Sequence, residues 1–368
     1  GMGKRRASLT VMIKPASAAC NLACDYCFYL DTAAHRAEGT FSLMSDEVAS
    51  AIITGSLDEA DHVSFVFQGG EPSLAGLAFF ERFVAEATAY KSAEQTIHWA
   101  FQTNGVRLNE AWAAFFKEHG FLVGISLDGS PRIHDLHRLD HQGNGSGRAV
   151  ANAIEIAKRG GVEFNVLSVV TDQMADNTAH AWRWLVDHGV RYHQYIPCID
   201  PIEQDRSFLS ASSYTRFLKE SFDLWYDAFR RGEQVSVRFF DNIVAMLLSL
   251  EPESCDMAGI CSVNYVVESN GNIYPCDFYC FDDQLLGNIL TGSWADFDGR
   301  RRALRFIEES PNTIDGCEQC RWRALCRGGC KRYRSSSGYR YCDTMKEFFP
   351  YSITRFEEIA RIVAGGRG

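Results

Sequence analysis

The sequence predicts an α/β fold, a parallel sheet or partial barrel followed by a small cysteine-rich domain. Three observations carry this. Up to about residue 200, short apolar runs of strand length alternate with amphipathic helical stretches. Past a helical stretch at Ser213–Arg231 the texture changes to short strands, turns and cysteines, from Cys255 to Cys342. The thirteen cysteines are unevenly spread, three near the N-terminus and nine in the C-terminal third. At 368 residues, 46% hydrophobic and 23% charged, the chain has room for two domains, or one large barrel with an appendage, and a substantial core. The expected boundaries are 1–235 for the sheet domain, 236–348 for the cysteine-rich domain and 349–368 for a C-terminal helix and tail.

The strand runs are Leu9–Ile13, His62–Phe67, Ile97–Gln102, Leu122–Leu127, Glu163–Val170 and Tyr192–Ile196. Between them lie helical patterns at Asp46–Ile53, Leu77–Tyr90, Glu110–His119, Arg148–Lys158 and Asn177–His188, with Ser45 and Asn109 placed as N-caps. Six strands alternating with helices call for right-handed parallel crossovers, and such sheets gather their sites at the C-terminal strand ends. The notable motifs fall there: Cys20–Cys27 after the first strand, Gln68-Gly-Gly-Glu-Pro72 after the second, Thr103-Asn-Gly105 after the third and Ser126-Leu-Asp-Gly129 at the fourth.

The net charge is 37 − 47 = −10, which argues against nucleic acid as a main partner and suits a cationic peptide better. Lys4-Arg5-Arg6 and the apolar run Leu9–Ile13 faintly resemble a secretory leader, but the run is about five residues long and Lys14-Pro15 interrupts it. No run reaches the roughly 20 apolar residues of a membrane span. The expectation is a cytoplasmic protein without a membrane partner, its thiols reduced and available for metal.

Cys20, Cys24 and Cys27 stand alone as C-x3-C-x2-C. On a continuous helix the outer two would be separated by about 10 Å of rise, so the segment should wrap as a loop around metal. Three ligands leave one iron of a four-iron cluster open to a substrate or cofactor. Zinc with three cysteines and a water is the competing reading, although zinc spacings are typically paired C-x2-C.

Cys20-Asn-Leu-Ala-Cys24-Asp-Tyr-Cys27-Phe28 resembles the signature of radical S-adenosylmethionine (AdoMet) enzymes. The resemblance implies a partial (β/α)6 barrel and a [4Fe–4S] cluster whose open iron binds the methionine moiety. It also implies a 5′-deoxyadenosyl radical that abstracts hydrogen, with the protein supplying position and exclusion of water. Gly69-Gly70-Glu71-Pro72 is similar to the family segment whose backbone and acid hold the methionine amino group, glycines permitting close approach. Tyr26, Ser126, Arg138 and Ile199 stand where related enzymes contact ribose, carboxylate and adenine; their ordinary readings are a packed tyrosine, a strand serine, a surface arginine and a core isoleucine.

The later cysteines, Cys261-x9-Gly271-x4-Cys276 and Cys317-x2-Cys320-x5-Cys326-x3-Cys330 followed by Cys342, resemble the SPASM extension of peptide-modifying radical enzymes. A zinc ribbon accounts for Cys317 and Cys320 and leaves the others unexplained. The resemblance implies that Cys255, Cys261, Cys276 and Cys330 hold one auxiliary [4Fe–4S] cluster and Cys317, Cys320, Cys326 and Cys342 another, three clusters in all. Six cations and no acid occur between Arg321 and Arg334, which suits negatively charged clusters; a nucleic-acid patch is the rival reading. Cys198 and Cys280 are left without a role.

Ile13-Lys-Pro-Ala-Ser17, Phe67-Gln-Gly-Gly-Glu-Pro72, Gln102-Thr-Asn-Gly105 and Tyr274-Pro-Cys-Asp-Phe-Tyr279 together resemble anaerobic sulfatase-maturating enzymes, over about Leu9 to Phe349. That family oxidises a cysteine or serine in a C/S-x-P/A-x-R stretch of an unfolded sulfatase to Cα-formylglycine. Asp277 then resembles the base that takes the thiol or hydroxyl proton, against the plain reading of an aspartate bonded to its own turn. Gln68 and Tyr29 resemble substrate contacts. The implied partners are the unfolded sulfatase polypeptide and an external one-electron reductant such as flavodoxin or ferredoxin. The eleven-residue gap from Cys330 to Cys342 is short for the family, the shortening falling in a surface turn at Ser335–Gly338. The rivals are a SPASM maturase of another peptide and a non-catalytic iron–sulfur electron carrier; a carrier would normally close its fourth iron site.

Overall fold

The computed structural model describes residues 3–202, 206–311 and 316–366. In chain order the strands that matter are β1 (Arg6–Ile13), β2 (Ala60–Phe67), β3 (Thr96–Thr103), β4 (Leu122–Ser126), β5 (Glu163–Val170), β6 (Tyr192–Pro197), β7 (Ser236–Val237), β8 (Tyr265–Val267), β9 (Asn272–Tyr274) and β10 (Gly287–Asn288). The chain divides into two compact units. The first runs to Ser126 and adds His137–Phe164 and Val263–Phe306; the second holds Leu127–Leu136, Asn165–Ser262 and the chain from Ile307 on.

In the first unit the strand order is β10-β9-β8-β1-β2-β3-β4. β8, β1, β2, β3 and β4 are parallel, and β9 and β10 continue the sheet antiparallel. The register pairs Ile13 with Phe67 and Val267, and Phe67 with Phe101. Lys14, Gln68 and Glu268, each the next residue along, therefore emerge at one edge. Inward-facing positions alternate as a sheet requires: Val63, Phe65 and Phe67 are buried on β2, and Trp99 and Phe101 on β3. The helix Leu77–Tyr90 lays Phe80 and Phe83 over them, each ring 5.0 Å from that of Phe67. Such edge-to-face pairs add about 0.5–1.5 kcal/mol each beyond the area they bury.

Both expected caps are present. Ser45 accepts from the Val48 N–H at 3.2 Å and Asn109 from the Trp112 N–H at 3.1 Å. The helix that Ser45 opens runs Asp46–Glu59, past the expected end at Ile53. Gly55 does not stop it, because Ile52, Ile53, Ser56 and Leu57 keep one face buried and Trp294 donates to the Gly55 carbonyl at 3.0 Å.

The second unit carries β5, β6 and β7 in parallel order and a helical layer. The helices Ala211–Arg230 and Cys342–Gly365 pack together through Phe222 and Phe356, 4.5 Å apart, and through a 2.8 Å bond from Thr215 to Thr344. The last helix begins at Cys342, earlier than the expected 349, and continues through Pro350. Its buried face of Met345, Phe348, Phe349, Ser352 and Phe356 offsets the ladder hydrogen bond lost at the proline. Ser335–Gly338 forms the expected turn, closing a hairpin in which Arg334 faces Tyr339. No helix among the described residues is long and apolar enough to cross a membrane.

Candidate active site

The cysteine loop starts where β1 ends and packs against the turn that follows β2. The Gly70 N–H donates to Ser17 O at 2.9 Å and the Glu71 N–H to Ala19 O at 2.8 Å. Gly69 has φ +123°, a conformation that glycine adopts without strain. A Cβ on Gly70 would lie 2.1 Å from the Ala19 carbonyl oxygen. The two glycines are thus required by the approach of one loop to another, a reason the sequence alone does not disclose.

Glu71 is fully buried. Its Oε2 accepts from the Ser73 N–H, the Ser73 hydroxyl and the Thr103 hydroxyl, at 3.1, 2.5 and 2.8 Å, and its Oε1 from the Asn104 N–H at 2.7 Å. Burial raises its pKa, and these four bonds pull the other way. The carboxylate ties the turn after β2 to the turn after β3.

Cys20, Cys24 and Cys27 are half-buried thiols outside any disulfide. The Cys20 sulfur accepts from the Leu22 N–H at 3.4 Å and from the Asn104 amide at 3.5 Å. Burial pushes the Cys20 thiol up to about 11, with Glu71 and Cys27 adding to the shift. Burial likewise raises Cys27, while Arg138 and Lys14 oppose it. Thiols held this way lose their protons to a metal, and N–H donors aimed at the sulfur tune a cluster. Among the described residues no three His, Cys, Asp or Glu side chains close around a single ion.

Cys27 also caps the helix Phe28–Ala34, which carries Tyr29. The Tyr29 hydroxyl and the Gln68 amide each donate to Asp277 Oδ2 at 2.8 Å. The Lys14 ammonium lies 2.9 Å from Asp277 Oδ1, 3.6 Å from the Cys280 sulfur and 4.8 Å from the Tyr29 ring centre. Burial works against the charge of Lys14, yet Asp277, Cys280 and Glu268 together raise its pKa. Three residues that the sequence marks for catalysis and substrate binding (Asp277, Gln68 and Tyr29) therefore meet at one carboxylate.

The other expected cofactor contacts are placed as follows. The Tyr26 ring lies 5.4 Å from the Arg138 guanidinium, and Arg138 is buried rather than on the surface. Ser126 is buried and accepts from Gln102 at 3.0 Å. Ile199 is half-buried past β6 in the second unit.

In the second unit, burial pushes the Cys330 thiol up to about 11, with Cys255 and Cys261 adding to the shift; the Cys326 thiol is pushed to about 11, with Cys342, Cys317 and Cys320 adding. Cys330 thus feels Cys255 and Cys261, and Cys326 feels Cys317, Cys320 and Cys342. Cys276, the remaining expected ligand, precedes the turn Asp277–Tyr279 in the first unit.

Residues 15–180 match the Radical SAM superfamily. The cysteine-type anaerobic sulfatase-maturating enzyme of Clostridium perfringens (strain 13) is 40% identical over 364 residues, covering 96% of this chain and 98% of the relative. The chain belongs to the anaerobic sulfatase-maturating enzymes. A serine-type member from Klebsiella pneumoniae is 31% identical, over 96% of this chain and 90% of its own. The solved structure of native anSMEcpe with bound AdoMet and Cp18Cys peptide superposes with a TM-score of 0.91 at 38% identity, covering 97% of this chain and 99% of that one. The chain accordingly has the radical SAM α/β fold and is an enzyme of radical oxidation.

Two residues of the site carry no role in the sequence reading. Lys14 lies inside Ile13-Lys-Pro-Ala-Ser17, one position past a buried strand, and a lysine there is a usable signal. Cys280 carries none beyond its nearness to Cys276.

Proposed function

We propose that this chain oxidises a cysteine of an unfolded sulfatase polypeptide, within a C-x-P/A-x-R stretch, to Cα-formylglycine. The meeting of Tyr29, Gln68 and Lys14 at Asp277 carries the reading, since it holds a carboxylate in fixed orientation beside the cysteine loop. Cysteine is preferred to serine because the cysteine-type relative is 40% identical and the serine-type 31%.

Cys20, Cys24 and Cys27 would hold a [4Fe–4S] cluster, which with AdoMet supplies the hydrogen-abstracting radical. Tyr26, Gly69, Gly70, Glu71, Ser126, Arg138 and Ile199 would form the AdoMet site. Gly69 and Gly70 offer backbone there, while Glu71, with both oxygens engaged, holds the shape of the turn. Asp277 takes the proton of the target thiol, and Gln68 and Tyr29 orient that thiol by exchanging a bond to Asp277 for one to the peptide. Cys255, Cys261, Cys276 and Cys330 would hold one auxiliary cluster and Cys317, Cys320, Cys326 and Cys342 the other, within a domain of residues 236–348 that follows a barrel of residues 1–235. The protein would work in the cytoplasm with an external one-electron carrier such as flavodoxin or ferredoxin.

The test pairs two peptides that differ only in C-x-P-S-R against S-x-P-S-R. Faster oxidation of the cysteine peptide supports the preference, and equal or faster serine oxidation removes it.

A further inference from the structure

We infer that the cavity walled by Cys317, Cys320, Cys326 and Cys342 is the docking face for an acidic one-electron carrier protein. The inference rests on the oxidation proposed above and names the surface at which its one-electron partner docks. Conversion of a cysteine side chain to a thioaldehyde releases two electrons and two protons. One electron and one proton leave as the abstracted hydrogen atom, the second proton goes to Asp277, and the second electron leaves the substrate; its reuse in the next AdoMet cleavage makes AdoMet the net two-electron oxidant. The electron that starts the first AdoMet cleavage, and any that is lost afterwards, has to come from outside the protein. A partner that delivers single electrons is therefore needed to start the chemistry and keep it reduced.

The cavity is about 680 Å³ and lies wholly within the second unit. All four cysteines are partly exposed to it. Its charged lining is entirely cationic among the described residues: Arg321, Arg323, Arg327 and Lys346, with no carboxylate. That composition stands against a chain with 47 acids and 37 basic residues. Arg321, Arg323 and Lys346 are exposed, and Arg321 lies 4.5 Å over the Trp322 ring, which braces it. Arg327 is engaged locally, with Glu251 at 3.4 Å and the Ala324 carbonyl at 3.0 Å. Glu318 and Asp343 neighbour the cysteines in sequence without lining the cavity. A cationic rim around a redox site attracts an acidic carrier and repels the arginine-bearing substrate peptide, so the two partners do not compete for one surface.

The experiment uses the reconstituted holoenzyme with verified iron content and oxidised flavodoxin as the probe, titrated without oxygen at low and physiological salt. The expected result is binding that weakens with salt and falls about tenfold or more in the Arg321→Glu/Arg323→Glu double variant, at unchanged iron content and cluster EPR signal. Lys346→Glu, on the exposed face of the last helix, gives the same reading if the double variant loses iron. Three results would overturn the inference. Flavodoxin fails to bind; the variants bind it as the parent does while their cluster signals shift, so that the cations serve only the cluster; or the variants lose affinity for a single-stranded oligonucleotide and not for flavodoxin. Dithionite-driven peptide oxidation tests the underlying function without any carrier, so the two failures are distinguishable.

Discussion

Lys14 and Asp277 form an ion pair at 2.9 Å with their side chains only 5% and 13% exposed, joining the end of β1 to the turn that follows Cys276. A buried pair of this kind contributes little net stability when intact, because desolvation offsets its attraction. Breaking it strands a charge at a cost of about 3–5 kcal/mol. Lys14→Met is therefore expected to lower the unfolding free energy by about that amount, and Lys14→Arg by less, in anaerobic denaturant titrations.

Glu71 makes a second prediction. Both its oxygens accept from backbone N–H groups, of Ser73 and of Asn104. In Glu71→Gln the amide NH2 must face one of those donors. The variant should lose about 1–3 kcal/mol despite equal size, read as a fall in Tm.

His193 sets a pH dependence. It is buried, with Nε2 at 2.9 Å from the Val190 carbonyl and Nδ1 at 2.7 Å from the Tyr195 hydroxyl, and burial pushes its pKa down to about 4. The unfolded chain takes up this proton near pH 6.5 and the folded chain does not. Stability is accordingly lost as pH falls from about 6.5 toward 4, by roughly 3 kcal/mol from this group. Comparing unfolding at neutral and acid pH in the parent and in His193→Gln isolates that contribution, which the variant should lack.

Most of the sheet was legible because β1 to β6 carry apolar runs of strand length, several of them followed closely by Gly, Asn or Pro, as at Phe67-Gln-Gly-Gly and Thr103-Asn-Gly. The caps at Ser45 and Asn109 were equally plain. Helix ends were less so. Gly55 is tolerated because Trp294, far along the chain, bonds its carbonyl, and Pro350 because of the aromatic face around it; neither compensation is local. In the site, Asp277, Gln68 and Tyr29 were readable from motif context. Lys14 has a signal, a lysine one position past a buried strand, but its pairing with Asp277, 263 positions away (277 − 14), comes only from tertiary register.

The cysteine sets yield a metal prediction. Cys326→Ala and Cys255→Ala should each lower bound iron by about four atoms per chain, from different clusters, while the double variant loses both. Iron and sulfide assays after reconstitution check this.

The central claim is that Asp277 acts on the peptide and not on AdoMet cleavage. The direct measurement follows 5′-deoxyadenosine and peptide mass together, anaerobically, with the reduced holoenzyme, AdoMet and a C-x-P-S-R peptide. The account predicts deoxyadenosine and a mass change from cysteine to formylglycine in the parent, and in Asp277→Asn deoxyadenosine without the peptide change. Deoxyadenosine with an unaltered peptide in the parent, or full peptide oxidation by Asp277→Asn, would contradict it.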